Sequence, residues 1–201
     1  MSGMLSPIGI VLPPLAEYLG RTPAEVAPLF SWLTMGIFVG SALALVVFDL
    51  LAPRWWMLLL YLAIAVSLVA LRLSEQFWVL RISLGIVGTA CGIGLAAAAS
   101  TIAALYAEDR RASMLVITDG SFSVAGIVVS TLAVSLVAAA QHWASVYLVV
   151  AVVAVLICGL VISAGFPAHH PGNPDGVAPS PWPAPVWLCV FALFLYTLGQ
   201  Y

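Results

Sequence analysis

Apolar residues run along this chain in long blocks, separated by short polar or turn-forming stretches. The first block covers about residues 4–19 and ends at Gly20-Arg21-Thr22-Pro23-Ala24-Glu25. The second, about 26–48, is closed by residues 49–54, and the third, 55–71, by residues 72–76. A fourth runs from 77 to about 106 and stops before Glu108-Asp109-Arg110-Arg111, the most charged break. A fifth covers about 113–140 and a sixth, beyond Gln141-His142-Trp143, about 144–165. A hydrocarbon core of about 30 Å takes roughly 17–25 apolar residues as helix, and every interior block reaches at least the lower bound. The pattern predicts an all-α bundle of transmembrane helices.

Residues 166–185 break the pattern. They hold seven of the thirteen prolines with His169, His170, Asn173 and Asp175, so they read as an exposed linker and not a helix. A seventh block occupies 186–201. The first and seventh blocks are each 16 residues, about 24 Å of helix, short of a full crossing. We therefore expect further chain on both sides: residues 1–165 as a bundle whose first helix is incomplete, 166–185 as a cytoplasmic linker, and 186–201 as the start of a seventh helix.

Composition removes the soluble alternatives. The chain is 64% hydrophobic and 7% charged, against about 25% charged in an ordinary soluble domain. It has no lysine and a net charge of −2, which gives no footprint for nucleic acid. Cys91, Cys158 and Cys189 lie inside apolar runs without metal-ligand spacing, and no residue set points to a cofactor. The first block lacks the basic start of a secretory signal, since Arg21 is the first basic residue. Arg54, Arg110 and Arg111 on one side against Arg21 and Arg72 on the other tilt the orientation towards a cytoplasmic linker, and Arg81 nearly cancels the tilt.

The chemistry centres on Asp119, six residues into the fifth block and about 9 Å along it by helix rise. An acid at that depth costs at least about 2.5–3.5 kcal/mol on insertion scales and ordinarily faces a bundle interior or a wet path. Asp119, Ser123, Gly126 and Ser130 recur at helical spacing, a small and polar face expected to point inward. Two roles are open to Asp119: a proton- or substrate-linked carboxylate, or a structural partner that locks the bundle by pairing with an arginine. In the fourth block Arg81, Gly85, Gly88 and Gly92 repeat the same spacing. The glycines suit close helix packing, while Arg81 either snorkels to the surface or serves an internal pair. Gly36 and Gly40 form a GxxxG pair in the second block. Their hexapeptide, residues 36–41, echoes residues 126–131, as two 3+3 repeats would. A Ser121-based intramembrane protease is excluded by position, because His142, His169 and His170 all lie in breaks.

Several stretches together resemble a known family. The run Leu15-Ala16-Glu17-Tyr18-Leu19-Gly20 with Thr22-Pro23 and Leu33-Thr34-Met35-Gly36-Ile37, the block Thr118 to Gly126 after Arg111, Phe166-Pro167-Ala168, and Leu198-Gly199-Gln200 are similar to the N-terminal half of a major facilitator superfamily transporter, close to the TsgA-type members of the fucose-permease branch. The family's loop between helices two and three survives here only as Asp49 and Arg54, with Leu45 where a glycine would sit, and Leu84 replaces a residue that is often polar. The resemblance implies a twelve-helix parent embedded in the bilayer, working by alternating access on a small solute with protons as partner, with the other half supplied by further chain. Asp119, Arg81 and Ser123 would then be linked to substrate or proton, Asp49 and Arg54 to gating, and Gly36, Gly40, Gly85, Gly88, Gly92 and Gly126 to helix packing. A membrane protein without transport activity, such as an assembly or sensor subunit, is the other reading of the same blocks.

The linker assignment makes a direct expectation: in limited proteolysis of the detergent-solubilised chain the first cuts fall within 166–185, and first cuts elsewhere with this stretch intact would contradict it.

Overall fold

The computed structural model describes residues 2–47 and 53–163, and within them there is helix and turn but no strand. Eight helices follow in order: α1 (Ser2–Leu5), α2 (Ile8–Tyr18), α3 (Pro23–Val26), α4 (Pro28–Val47), α5 (Pro53–Leu73), α6 (Phe77–Leu105), α7 (Glu108–Ala138) and α8 (Ser145–Ser163). Five are long and apolar enough to cross a membrane, with α3 and α4 together making the first of them, and Ile8–Tyr18 is a shorter apolar helix. The all-α membrane bundle expected from the blocks is the fold observed. The expected linker, the start of a seventh helix and Asp49 lie outside the described residues.

Four boundaries depart from the sequence reading, each for a local reason. The first block is two helices, because Pro7 lacks an amide donor and its ring crowds the carbonyl four residues back. The break before the second block contains a helical turn of its own, α3, closed by a capping box in which Glu25 accepts from the Thr22 amide and hydroxyl, both at 2.9 Å. Glu108-Asp109-Arg110-Arg111 is the first turn of α7 and not a break. Its two acids sit where the helix macrodipole favours negative charge. Arg54 likewise belongs to the first turn of α5.

Packing follows from small residues. α4 lies against α6 along most of its length, α5 against α8 and α6, and α7 chiefly against α1 and α2. Four glycines bring α4 and α6 into backbone contact. A Cβ added to Gly36 would stand 2.9 Å from the Thr89 amide nitrogen, one on Gly40 2.9 Å from the Thr89 Cα, one on Gly88 3.1 Å from the Gly36 Cα, and one on Gly92 2.8 Å from the Ser41 amide nitrogen. Each neighbour is backbone, so none can rotate away. Gly85 differs: a Cβ there would meet only the Trp32 ring, at 4.0 Å. Leu29, Leu33, Leu80, Leu84 and Val87 continue the buried seam.

The contacts follow the repeat only in part. Exchanging blocks one, two and three for four, five and six turns the α4–α6 contact into the contact of α7 with α1 and α2 and maps α5–α8 onto itself, whereas the α5–α6 and α7–α8 contacts have no such counterpart among the main contacts of the described residues. Gly126 of α7 is buried, and its carbonyl accepts a hydrogen bond of 3.2 Å from the Ser6 hydroxyl in the α1–α2 turn. Residues 36–41 and 126–131 thus each bring a glycine to a helix contact, Gly36 and Gly40 against α6 and Gly126 against the α1–α2 turn. Large apolar side chains such as Leu62, Val66, Val116, Ile127, Val152 and Leu156 are exposed, as hydrocarbon solvent permits.

Gly88→Ala should lower the melting temperature by several degrees, in line with about 1–3 kcal/mol for overpacking. Gly94→Ala and Gly120→Ala, where nothing lies within 4 Å of the new methyl, should leave it unchanged or raise it slightly. Equal melting temperatures for all three would remove the α4–α6 contact as the cause.

Candidate functional site

The longest polar stretch inside a span is on α7, whose own backbone takes up most of it. The hydroxyls of Thr118, Ser121, Ser123, Thr131 and Ser135 donate to carbonyls three or four residues back at 2.6–3.3 Å, which removes the cost of hydroxyls in hydrocarbon. Asp119 has no such outlet. A carboxylate can only accept, every nearby amide is committed to the helix, and among the described residues it has no ion pair. With α7 starting at Glu108, Asp119 lies eleven residues in, about 16 Å along the helix and deeper than the block boundary suggested.

The expected inward face is only half inward. Gly126 is buried and Ser130 half-buried, but Asp119 and Ser123 are exposed. α7 is the least buried of the five spans, because α1 and α2 cover only its later part. Asp119 and Ser123 therefore share a ledge outside the packing of these helices, with Ser123 Oγ 3.3 Å from the Asp119 carbonyl.

Arg81 occupies a second place, on α6. Its guanidinium carbon stands 4.6 Å from the centroid of Phe77, four residues earlier, and 5.5 Å from that of Trp78. Arg21, from the turn after α2, approaches the same Phe77 ring at 4.9 Å. Each is a cation–π contact, which holds a guanidinium on an apolar wall without a counter-ion. Arg81 Nε is buried without a hydrogen-bond partner. The side chain borders a cleft of about 280 Å³ between α4 and α6, with Trp32, Met35 and Thr89 among its walls. The wall is mostly apolar, with the Arg81 guanidinium and the Thr89 hydroxyl among its few polar groups.

Asp119 and Arg81 are not brought together. Arg81 lies 24 residues before Leu105 and Asp119 eleven after Glu108, or about 36 and 16 Å from the α6–α7 turn by helix rise. A cavity of about 250 Å³ confirms the register by setting Gly94, Leu95 and Ala98 opposite Thr118 and Phe122. Arg81 is stacked on aromatic rings near one end of α6, and the described residues offer Asp119 no arginine. Of the gating pair, Arg54 donates from a terminal guanidinium nitrogen to the Ile162 carbonyl at 2.9 Å. It thereby satisfies a free carbonyl at the end of α8, where a cation also suits the macrodipole.

The sequence profile of the Major Facilitator Superfamily matches residues 1–201, the whole chain. The chain belongs to the major facilitator superfamily. Among curated relatives it is 26% identical over 195 residues to the protein TsgA homolog of Citrobacter koseri and to protein TsgA of Shigella dysenteriae serotype 1. It is 22% identical over 192 residues to the protein TsgA homolog of Buchnera aphidicola. Each alignment covers 96% of this chain and 50% of the relative, so the chain spans about half the length of the curated relatives it matches. No solved structure matches.

Membership of this family points to a multi-pass membrane protein and away from an enzyme. In this facilitator chain the sequence did not single out Phe77, the ring shared by Arg21 and Arg81, or Ser6, which reaches Gly126. The signals were present as the i, i+4 spacing of Phe77 to Arg81 and as a hydroxyl beside the helix-breaking Pro7. A double-mutant cycle between Phe77→Leu and Arg81→Gln should give a coupling of about 0.5–1 kcal/mol in thermal or denaturant unfolding. A coupling of zero would place the guanidinium elsewhere in the membrane.

Proposed function

We propose that this chain forms the N-terminal six-helix half of a secondary active transporter, which moves a small solute with protons by alternating access. The second half, in this reading, is supplied by further chain beyond the linker at 166–185, and the protein sits in a bacterial inner membrane with that linker cytoplasmic. Family membership and bacterial relatives of about twice this length support the reading.

One observation carries the coupling assignment: Asp119 is the acid on α7 well inside the span that has no ion pair or hydrogen-bond partner among the described residues, while the hydroxyls around it are satisfied. An acid at membrane depth can load and release a proton wherever a path to water reaches it. Its exposure beside Ser123 gives it access to a path lying between this bundle and whatever faces it. Arg81, in the cleft with Trp32, Met35 and Thr89, supplies a fixed positive charge for an anionic or polyhydroxylated solute. The facing glycines of α4 and α6 keep that wall rigid while the two halves move. Asp49 and Arg54 belong to the gating turn between the second and third spans in the same reading.

The test is Asp119→Asn in the full-length transporter reconstituted in vesicles. Asparagine keeps the shape but exchanges no proton. Proton-driven uptake should fall at least tenfold, while the melting temperature stays within a degree or two, because an exposed acid without an ion pair stabilises little. Unchanged uptake with an unchanged pH profile would discard Asp119 as the coupling acid. Lost uptake with a large fall in melting temperature would make it a structural group, and wild-type inactivity across a broad solute panel would favour a non-transporting membrane protein.

A further inference from the structure

At one end of the bundle three connections meet on a single histidine. Tyr18, closing α2, donates its hydroxyl to Glu75 Oε1 in the α5–α6 turn at 2.9 Å. Its ring stands edge-on to His142 in the α7–α8 turn, with centroids 4.7 Å apart and planes at 70°. His142 continues into Trp143 at 5.6 Å, and Trp143 into Tyr147 at 6.3 Å. The stack thus joins the ends of α2, α5, α7 and α8.

The protonation state of His142 is fixed by its neighbours. The Ala144 amide donates to Nδ1 at 3.1 Å. An amide can only donate, so Nδ1 carries no proton, and in the neutral ring the proton sits on Nε2. Nε2 is itself buried without a partner. A second proton would therefore have to load on Nδ1, set two N–H groups face to face and bury two unanswered donors at once. The charged groups facing the ring are Arg72 at the end of α5 and Glu75 in the turn after it, with the Tyr18 phenol from α2. Desolvation first and Arg72 second hold the imidazole below its ordinary pKa, and Glu75 pulls the other way.

The turn that carries His142 is poised to move. α7 ends with the Gln141 amide on the Leu136 carbonyl at 3.1 Å and the Ala140 amide on the Val137 carbonyl at 3.0 Å, a Schellman closure that needs a left-handed residue between. That residue is Ala140, at φ 52°. At the equivalent closure of α2 the position is Gly20, at φ 62°. Alanine bears a strain there that glycine does not, so the α7–α8 turn is held in place partly by what it touches.

We propose that the α7–α8 turn is a proton-operated latch: protonation of His142 at Nδ1 breaks its bond with the Ala144 amide and opens the strained turn between α7 and α8. No covalent bond changes, and the proton comes from solvent at the helix ends. Because the folded-state pKa is lowered, the latch is complete above the ordinary imidazole pKa and is lost as pH falls through the lowered value. The latch is independent of Asp119, which lies within the span.

The experiment follows amide hydrogen exchange of residues 142–147 in the 201-residue chain in lipid nanodiscs, corrected for the intrinsic pH dependence of exchange, alongside nitrogen NMR titration of His142. Exchange in this segment should quicken at least tenfold on crossing the His142 midpoint downward, and the neutral ring should carry its proton on Nε2. His142→Asn retains an acceptor where Nδ1 was but cannot take up a proton, so it should stay protected at every pH. Glu75→Gln removes the charge that favours the imidazolium and should move the midpoint to lower pH. Protection at Ala144 that ignores pH, equal acceleration in His142→Asn, or a midpoint unmoved by Glu75→Gln would overturn the latch.

Discussion

The backbone contact between α4 and α6 is the constraint on which the rest of this bundle rests. In hydrocarbon no hydrophobic force drives two apolar helices together, because the lipid is as good a neighbour as another leucine. What remains is close approach, and Gly36, Gly40, Gly88 and Gly92 supply it by leaving no Cβ at four points along the seam. Dispersion between main-chain atoms then acts at full contact over several turns. Once α4 and α6 are joined, the short α5–α6 turn fixes α5 beside α6, and α8 fills the remaining side of α5.

A second, weaker contact holds α7. Gly126 is buried against the α1–α2 turn, where the Ser6 hydroxyl reaches its carbonyl. A single hydrogen bond and one glycine hold less than four interlocked glycines, and α7 is accordingly the least buried span. That looseness leaves Asp119 and Ser123 uncovered.

Polar groups within the spans divide by how they are satisfied. Hydroxyls return to their own helix carbonyls, and arginines rest on rings, as Arg81 does on Phe77, or on a helix end, as Arg54 does on Ile162. A carboxylate can use none of these outlets, since it has no proton to give to a carbonyl and an aromatic face repels it. Asp119 is conspicuous for that reason alone, before any comparison with relatives.

The sequence by itself determined the bilayer as solvent, the succession of helices, the close-packing glycines and the acid at depth. Each rests on composition or on helical period, which are local quantities that a linear chain carries in full. The tertiary structure alone decided which side of α7 is covered, so that Gly126 is buried while Asp119, two turns away on the same stripe, is exposed. It alone separated Arg81 from Asp119, since their distance depends on the antiparallel register of α6 and α7 and not on either helix's pattern. It turned the charged break at 108–111 into a helix start, because a charge run reads as a loop until the macrodipole it caps is known to be there. And it assembled Tyr18 from the end of the first block with Glu75 and His142 from two separate breaks, because only the packing of whole helices brings their ends together.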